Sequence, residues 1–454
     1  MRKNIAIILA GGNGLRMGME LPKQFIKVAG KAVLEHTVQT FQKHSLIDEI
    51  VIVTHQSFIY LVEDLVLANH WPKVKKILNG GKERYDSSLS AINACLPQGD
   101  VNLIFHDAVR PLVNDRVIGE VILSLEKYEA VDTAVPASDT IIQVEHNRSI
   151  IFSIPNRALL RRGQTPQGFR IGTIKKAYDL ALQDPKFLAT DDCGVISNYL
   201  PEVAIYVVAG EEQNFKLTYK QDIFLLDKLF QLKTSNMSES QDLSSLADKV
   251  VVVFGGRLGI GAAVVEQCMA QSIKVHSFSR LINQVDIRSL ADVKNALQNV
   301  FTIEGRIDCI VNTAAILSRE PLVSMDEEKI DELLDINLKG VINIAIAAYP
   351  YLKESKGHLL FYTSSSYTRG RAFYSLYSAT KAAVVNFVQA ISSEWEGNEI
   401  HVNCINPERT KTPMRISNFG AEPDGTLLSA EKVARVSLGV LCSDFSGQVI
   451  DVKM

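Results

Sequence analysis

The sequence predicts an α/β protein built as two doubly wound domains, and three observations predict it. Short β-branched runs alternate with longer helical patterns along the chain, as a sheet flanked by helices requires. In each half the first such run is followed at once by glycines, at Gly11-Gly12 and at Gly255-Gly256. Between the halves, residues 233–248 turn polar and serine-rich with little apolar periodicity, which reads as a linker. The expected domains are therefore 1–232 and 249–454. In the first, Ile5 to Leu9, Glu49 to Thr54, Val101 to His106 and Ala204 to Val208 read as strands. In the second, Lys249 to Phe254, Ile273 to Ser277, Cys309 to Asn312, His358 to Tyr362 and His401 to Ile405 do so.

A chain of 454 residues with 46% hydrophobic content can bury two cores. Its net charge of -3, from 48 basic and 51 acidic residues, offers no field to a polyanion, so nucleic acid is not an expected partner. The cysteines Cys95, Cys193, Cys268, Cys309, Cys404 and Cys442 form no CxxC pair, which points to reduced core thiols rather than a disulfide framework or a zinc site. The apolar run Ile5 to Ala10 is too short for a signal peptide, and Val341 to Leu352 is interrupted by Asn343 and Pro350. No membrane span and a cytoplasmic location are the expectations.

After the first strand comes Ala10-Gly11-Gly12-Asn13-Gly14-Leu15-Arg16-Met17, and shortly afterwards Pro22-Lys23-Gln24. Glycines at a strand end let backbone amides approach a triphosphate with no side chain in the way. Arg16 and Lys23 add cations where charge gathers as one phosphate attacks another and pyrophosphate leaves. A Walker A loop needs Lys-Ser or Lys-Thr directly after its last glycine, so an ATPase is not expected. Asp107, in His106-Asp107-Ala108-Val109-Arg110-Pro111, follows a buried strand, where ligands of open α/β sheets collect. It reads as a Mg²⁺ ligand beside phosphate oxygens, the alternative being a helix N-cap.

These residues resemble the cytidylyltransferase branch of the sugar-nucleotide pyrophosphorylases, whose members act on methylerythritol phosphate or ribitol 5-phosphate. The resemblance implies CTP as nucleotide, bound by Ala10, Gly11, Gly12 and Gly14, with the base and ribose near Gly81, Ser87 and Ser88 in the segment Gly80 to Ser88. It implies that Lys216 reaches the α-phosphate, and that Arg110, Arg157, Thr165 and Thr190 belong to the substrate pocket with Asp107. Residues 139–155 read as a β-hairpin around His146-Asn147-Arg148. In the family such an arm crosses to a second subunit, which implies a homodimer with Arg157 completing the neighbouring pocket.

In the second half, Val251 to Gly261 reads as strand, glycine turn and helix start, with Gly255, Arg257, Gly259, Ile260 and Gly261 placed to receive a dinucleotide pyrophosphate at the helix N-terminus. Arg280 closes the next strand where an NAD enzyme would carry an acid, which favours a 2′-phosphate and hence NADPH. Tyr377 and Lys381 stand at i and i+4 on one helical face. The ammonium is expected to lower the phenol's pKa and make it a proton donor near neutrality. Ser364, adjoined by Ser365 and Ser366, supplies a hydroxyl to hold a substrate carbonyl.

Together these residues resemble the short-chain dehydrogenase/reductase family over residues 248–454. The resemblance implies Tyr377 as general acid, Lys381 on the nicotinamide ribose, Ser364 orienting the carbonyl and Asn337 supporting a proton relay. It also implies cofactor contacts from Asn312, Asp286 and Thr412. Phe254, Ala315 and Glu408 depart from the family pattern, where threonine, glycine and glycine are usual. Arg371, with Arg369, Arg409 and Lys411, reads either as a site for a keto-sugar phosphate or as a solvated basic loop.

One half makes alcohols from carbonyls and the other couples a phosphorylated alcohol to CMP, so the product of one is expected to feed the other. Ribulose 5-phosphate reduced to ribitol 5-phosphate and activated as CDP-ribitol, for capsule or teichoic-acid-like polymers, satisfies both. Two alternatives stand beside it: methylerythritol phosphate as acceptor with a reductase for an unrelated ketone, and a redox-sensing binding protein. The set Ser364, Tyr377 and Lys381 argues against the last.

Overall fold

The computed structural model describes residues 2–12, 21–145, 149–188, 191–234, 242–423 and 425–454. The chain divides into two compact units, Met1–Leu226 and Asp227–Met454, each with its own sheet and core.

The first unit carries seven principal strands: Asn4–Ala10 (β1), Glu49–Thr54 (β2), Val74–Asn79 (β3), Asn102–Asp107 (β4), Ala130–Pro136 (β5), Arg161–Arg170 (β6) and Ile205–Ala209 (β7). They lie in the order β7-β5-β6-β4-β1-β2-β3. Strands β1, β2 and β4 are apolar on both faces, as central parallel strands covered by helices must be. Strand β6 runs antiparallel to both β4 and β5. Its residues, Arg161 to Arg170, read in the sequence only as a pocket segment because they lack β-branched alternation and contain Pro166, which cannot donate to a ladder. The register shifts between Gln164 and Gly168 to accommodate it. Strands β3 and β5 also went unread; β3 is an edge strand with few buried residues.

The second unit has six parallel strands: Val250–Phe254 (β8), Lys274–Phe278 (β9), Cys309–Asn312 (β10), His358–Tyr362 (β11), His401–Pro407 (β12) and Val449–Val452 (β13). Their order is β9-β8-β10-β11-β12-β13. One face packs Val252, Phe254, Ile310 and Phe361 against Ile344, Val384 and Val388; the other packs Val251, Val253, Val311 and Leu360 against Val264 and Leu438. Leu246 is wholly buried in that second layer. The packing of the second unit therefore begins inside the stretch expected as linker, and on the other side the helix Gln221–Thr234 runs into it. The apolar residue Leu246 is the reason: buried against β8, it binds the chain to the core ahead of Lys249.

In both sheets the first strand sits between a strand that follows it and one added later on its other side. The chain reverses its winding there, at β1/β4 and at β8/β10, and a crevice opens at the carboxyl ends of those strands. Among the described residues, no helix is long and apolar enough to cross a membrane.

The ring of Phe169 on β6 is wholly buried and meets Phe105 of β4 edge-on at 5.9 Å between centroids. Replacing Phe169 with alanine should cost about 3–5 kcal/mol of first-unit stability, read in calorimetry as a lowered transition of the first unit while that of the second is unchanged.

Two candidate active sites

The first crevice, about 330 Å³, is lined by Ala10, Gly11, Gly12, Lys23, Gly81, Arg84, Ser87, Asp107 and Lys216 among others. Register sets the meeting point, because Leu9 of β1 lies beside Asp107 of β4. The glycine loop is pinned from behind by Gln24, whose side-chain amide donates to the carbonyls of Ala10 at 2.7 Å and Gly12 at 3.2 Å. A Cβ at Gly81 would fall 2.0 Å from that of Asp86, so no larger residue fits that turn. Lys23 Nζ donates to the carbonyl of Leu217 at 2.9 Å, which brings it next to Lys216.

Asp107 gathers the cations. Its carboxylate lies 3.0 Å from Lys216 Nζ, 3.3 Å from Arg110 Nε and 3.5 Å from Arg84 Nη2. Burial alone would raise its pKa; Lys216, Arg84 and Arg110 outweigh it and hold the carboxyl well below the usual range. Asp107 is not an N-cap, since the following helix Asp115–Ser124 is capped by Asn114. Thr165 stands behind the site: its hydroxyl accepts from the Asp107 amide at 3.1 Å and lies 3.0 Å from His106 Nδ1. Burial pushes the His106 imidazole down to about 4, so it is neutral at physiological pH.

The other expected residues are more scattered. Arg110 reaches Asp107 and the carbonyl of Asn214 but does not line the crevice, and wholly buried Ser88 does not either. Arg157 is exposed near the arm, with Nη1 donating to the carbonyl of Ser138 at 3.1 Å. Gly14, Arg16, Thr190 and the hairpin tip His146-Asn147-Arg148 lie outside the described residues.

The second crevice is a cavity of about 870 Å³, within the size range of cofactor sites. Its lining includes Gly255, Arg257, Gly259, Ile260 and Gly261 from the glycine turn, Arg280 and Asp286 from the segments after the next strand, and Ser364, Arg371, Tyr377, Lys381 and Thr412. Thr412 adjoins Gly259, where a Cβ would stand 3.1 Å from its Cγ2. Gly255 has φ +81°, and a Cβ there would stand 2.6 Å from the Ala314 amide. The turn thus packs directly on the backbone that follows β10. Asn312 does not line the cavity; its side-chain oxygen accepts from the Ala314 amide at 3.0 Å and shapes that backbone. The Asp286 carboxylate is taken by Arg288 at 2.6 Å, and Arg280 pairs loosely with Glu332 at 3.7 Å. Thr412 caps the helix Pro413–Phe419, accepting from the Arg415 amide.

At the centre, Ser364, Tyr377 and Lys381 line the cavity together. Ser366 is buried and donates to Ser364 Oγ at 3.3 Å, while Ser364 and Ser365 both line the cavity. Lys381 Nζ donates to the carbonyl of Tyr362 at 3.0 Å and lies 5.6 Å from the Tyr377 ring centroid. Asn337 is wholly buried in a π-helical turn, Asp335–Lys339, a feature frequent at functional sites. Its amide brackets Ile316, accepting from the backbone amide at 2.9 Å and donating to the carbonyl at 2.8 Å. It braces the cavity wall rather than lining it.

Similarity to known proteins follows the same division. The 2-C-methyl-D-erythritol 4-phosphate cytidylyltransferase family model matches residues 4–232, and the short chain dehydrogenase model matches residues 249–422. A bifunctional ribulose 5-phosphate reductase/CDP-ribitol pyrophosphorylase of Haemophilus influenzae is 49% identical, over 100% of this chain and 96% of that protein. The chain belongs to this bifunctional family. Two single-function relatives match the first unit only. The 2-C-methyl-D-erythritol 4-phosphate cytidylyltransferase of Thermobifida fusca is 42% identical over 49% of this chain and 92% of its own length. The ribitol-5-phosphate cytidylyltransferase of Lactiplantibacillus plantarum is 33% identical over 50% of this chain and 99% of its own. The chain is thus a cytidylyltransferase joined to a short-chain dehydrogenase/reductase that uses a nicotinamide cofactor.

For a member of this bifunctional family, one sequence expectation needs correction. The Tyr377 phenol is not lowered by its lysine: burial pushes it up to about 12, with the Ser364 hydrogen bond opposing. The ammonium is turned onto the Tyr362 carbonyl, too far from the phenol to offset desolvation. Burial lowers Lys381 itself to about 8. Sequence reasoning also left Arg84 without a role, although it stands three residues after the second glycine pair, and passed over Gln24 and the buried Asp192–Tyr178 pair behind Arg84.

If the Lys381 ammonium serves the reduction, kcat/KM for ketone reduction should fall as the pH rises through about 8. Tyr377 stays protonated throughout that window. A pH profile with no alkaline limb would remove the Lys381 ammonium from the reaction.

Proposed function

We propose that this chain reduces D-ribulose 5-phosphate to D-ribitol 5-phosphate with NADPH in its second unit, then transfers CMP from CTP to that product in its first, releasing pyrophosphate and forming CDP-ribitol. The observation that carries this reading is the occurrence of both sites on one chain, the Asp107 cation cluster beside a glycine loop and the Ser364-Tyr377-Lys381 group beside a dinucleotide-sized cavity. The alcohol made at one site is the acceptor required at the other. The product supplies a capsule or teichoic-acid-like polymer, and the enzyme works in the cytoplasm.

In the reductase, the nicotinamide cofactor supplies a hydride to the carbonyl carbon. Ser364 holds the carbonyl oxygen, Tyr377 gives it a proton, and Lys381 stabilises the phenolate that results. Arg257 and Arg280 in the cavity lining favour the 2′-phosphate of NADPH, and Arg371, which also lines the cavity, suits the phosphate of the ketose.

In the transferase, a phosphate oxygen of the acceptor attacks the α-phosphorus of CTP and the bond to the β-phosphate breaks. Lys23, Lys216 and Arg84 face the crevice where negative charge accumulates. Among the described residues no group of three or more His, Cys, Asp or Glu side chains forms a metal cage. One carboxylate, Asp107, beside phosphate oxygens fits Mg²⁺, which demands few protein ligands; when bound it neutralises phosphate charge.

Supplied with ribulose 5-phosphate, CTP and Mg²⁺, the protein should release pyrophosphate only if NADPH is present, whereas ribitol 5-phosphate should need no NADPH. Tyr377→Phe should abolish the first reaction and spare the second. Pyrophosphate release with methylerythritol phosphate but with neither pentose derivative would sink the linked pathway.

A homodimer through the N-terminal arm is part of this reading. The arm pairs Gln143–Val144 with Ile151–Ser153 and exposes Ile142, Ile150, Phe152 and Ile154, each at least half accessible, an apolar surface of the kind partners cover. Light scattering should give a dimer. Phe152→Glu should yield a monomer with impaired cytidylyl transfer, while a native protein that is monomeric would refute the arm's role.

A further inference from the structure

Arg84, which lines the first crevice, is paired with a buried carboxylate, Asp192, that none of these steps uses. Asp192 is wholly buried and begins the helix Asp192–Tyr199. It accepts from Arg84 Nη1 at 2.6 Å and from the Tyr178 hydroxyl at 2.7 Å. Arg84 begins the helix Arg84–Cys95 and faces two carboxylates unequally, in full contact with Asp192 but at 3.5 Å from Asp107. A charge taken wholly out of water is costly unless paired, so Asp192 keeps a firm hold on the guanidinium.

The inequality has a consequence for Asp107. Lys216, with 41% of its side chain exposed, can be drawn away by an incoming phosphate, and Arg110 reaches one oxygen of Asp107, Oδ2, through Nε at 3.3 Å. Arg84 is different, because a guanidinium closed onto Asp107 in the bidentate mode would occupy both oxygens and compete with a metal. We propose that Asp192 is a positioning residue that holds Arg84 off Asp107, leaving that carboxylate able to take Mg²⁺ as the triphosphate enters. The inference rests on the Mg²⁺–CTP reading of this crevice. Neutralising Asp192 leaves Arg84 one charged carboxylate within reach, and it closes onto Asp107.

The test measures Mn²⁺ binding to the full-length protein by electron paramagnetic resonance of the free ion, at saturating non-hydrolysable CTP analogue. Asp192→Asn, which retains a partner for Tyr178, should weaken Mn²⁺ binding about tenfold. The double variant Asp192→Asn/Arg84→Gln removes the competing guanidinium and should recover most of that loss, a rescue that general damage to the fold would not give. Circular dichroism checks folding; if Asp192→Asn alone fails to fold, the double variant, whose two neutral amides can pair, decides by binding Mn²⁺ as native protein does or not. Unchanged Mn²⁺ affinity in Asp192→Asn, or a double variant as weak as the single, would overturn the proposal. Native protein that binds no Mn²⁺ even with the analogue would overturn the metal reading beneath it.

Discussion

Both sites depend on one topological constraint: the first strand of each sheet is flanked on both sides by parallel partners, so its carboxyl end opens where the winding reverses. Everything else is placed relative to that opening. In the first unit β1 delivers the glycine loop and β4 delivers Asp107 one residue away in register. In the second, β8 delivers Gly255, β10 the backbone on which it packs, and β11 leads into Ser364. The strands are apolar on both faces, so the polar groups of each site can stand only at their ends.

Burial then decides protonation at the two sites in opposite ways. Asp107 is buried among three cations, and their attraction exceeds its desolvation. Tyr377 and Lys381 are buried with little opposite charge near them, so desolvation prevails and favours the neutral form of each. The first site is a preformed charge trap that polyanionic substrates must reorganise. The second is a site in which a phenol of raised pKa and a weakened ammonium stand side by side at the cavity wall.

Strands such as Glu49–Thr54 and His358–Tyr362 were legible to the residue, because a fully buried strand is a continuous β-branched or apolar run. Strand β6 was not, since Arg161 to Arg170 enters the sheet through pairing with two neighbours rather than through its own propensity. The linker was misjudged at Leu246 for a like reason: one apolar residue in a serine-rich stretch carries no periodic signal, yet it finds a core.

The sequence by itself determined the two-unit α/β architecture, the glycine turns, and groups that line the two crevices, Lys23, Asp107 and Lys216 in one half and Ser364, Tyr377 and Lys381 in the other. These are local patterns, set by strand ends and helical spacing. Only the tertiary structure decided which cations close on Asp107, that Thr165 and Asn337 brace their sites from behind, that Lys381 turns to a backbone carbonyl, and that Arg84 is shared between Asp107 and Asp192. Apart from Arg110, three positions from Asp107, those choices join residues far apart in the chain, and the balance of desolvation against pairing exists only once the fold has brought them together.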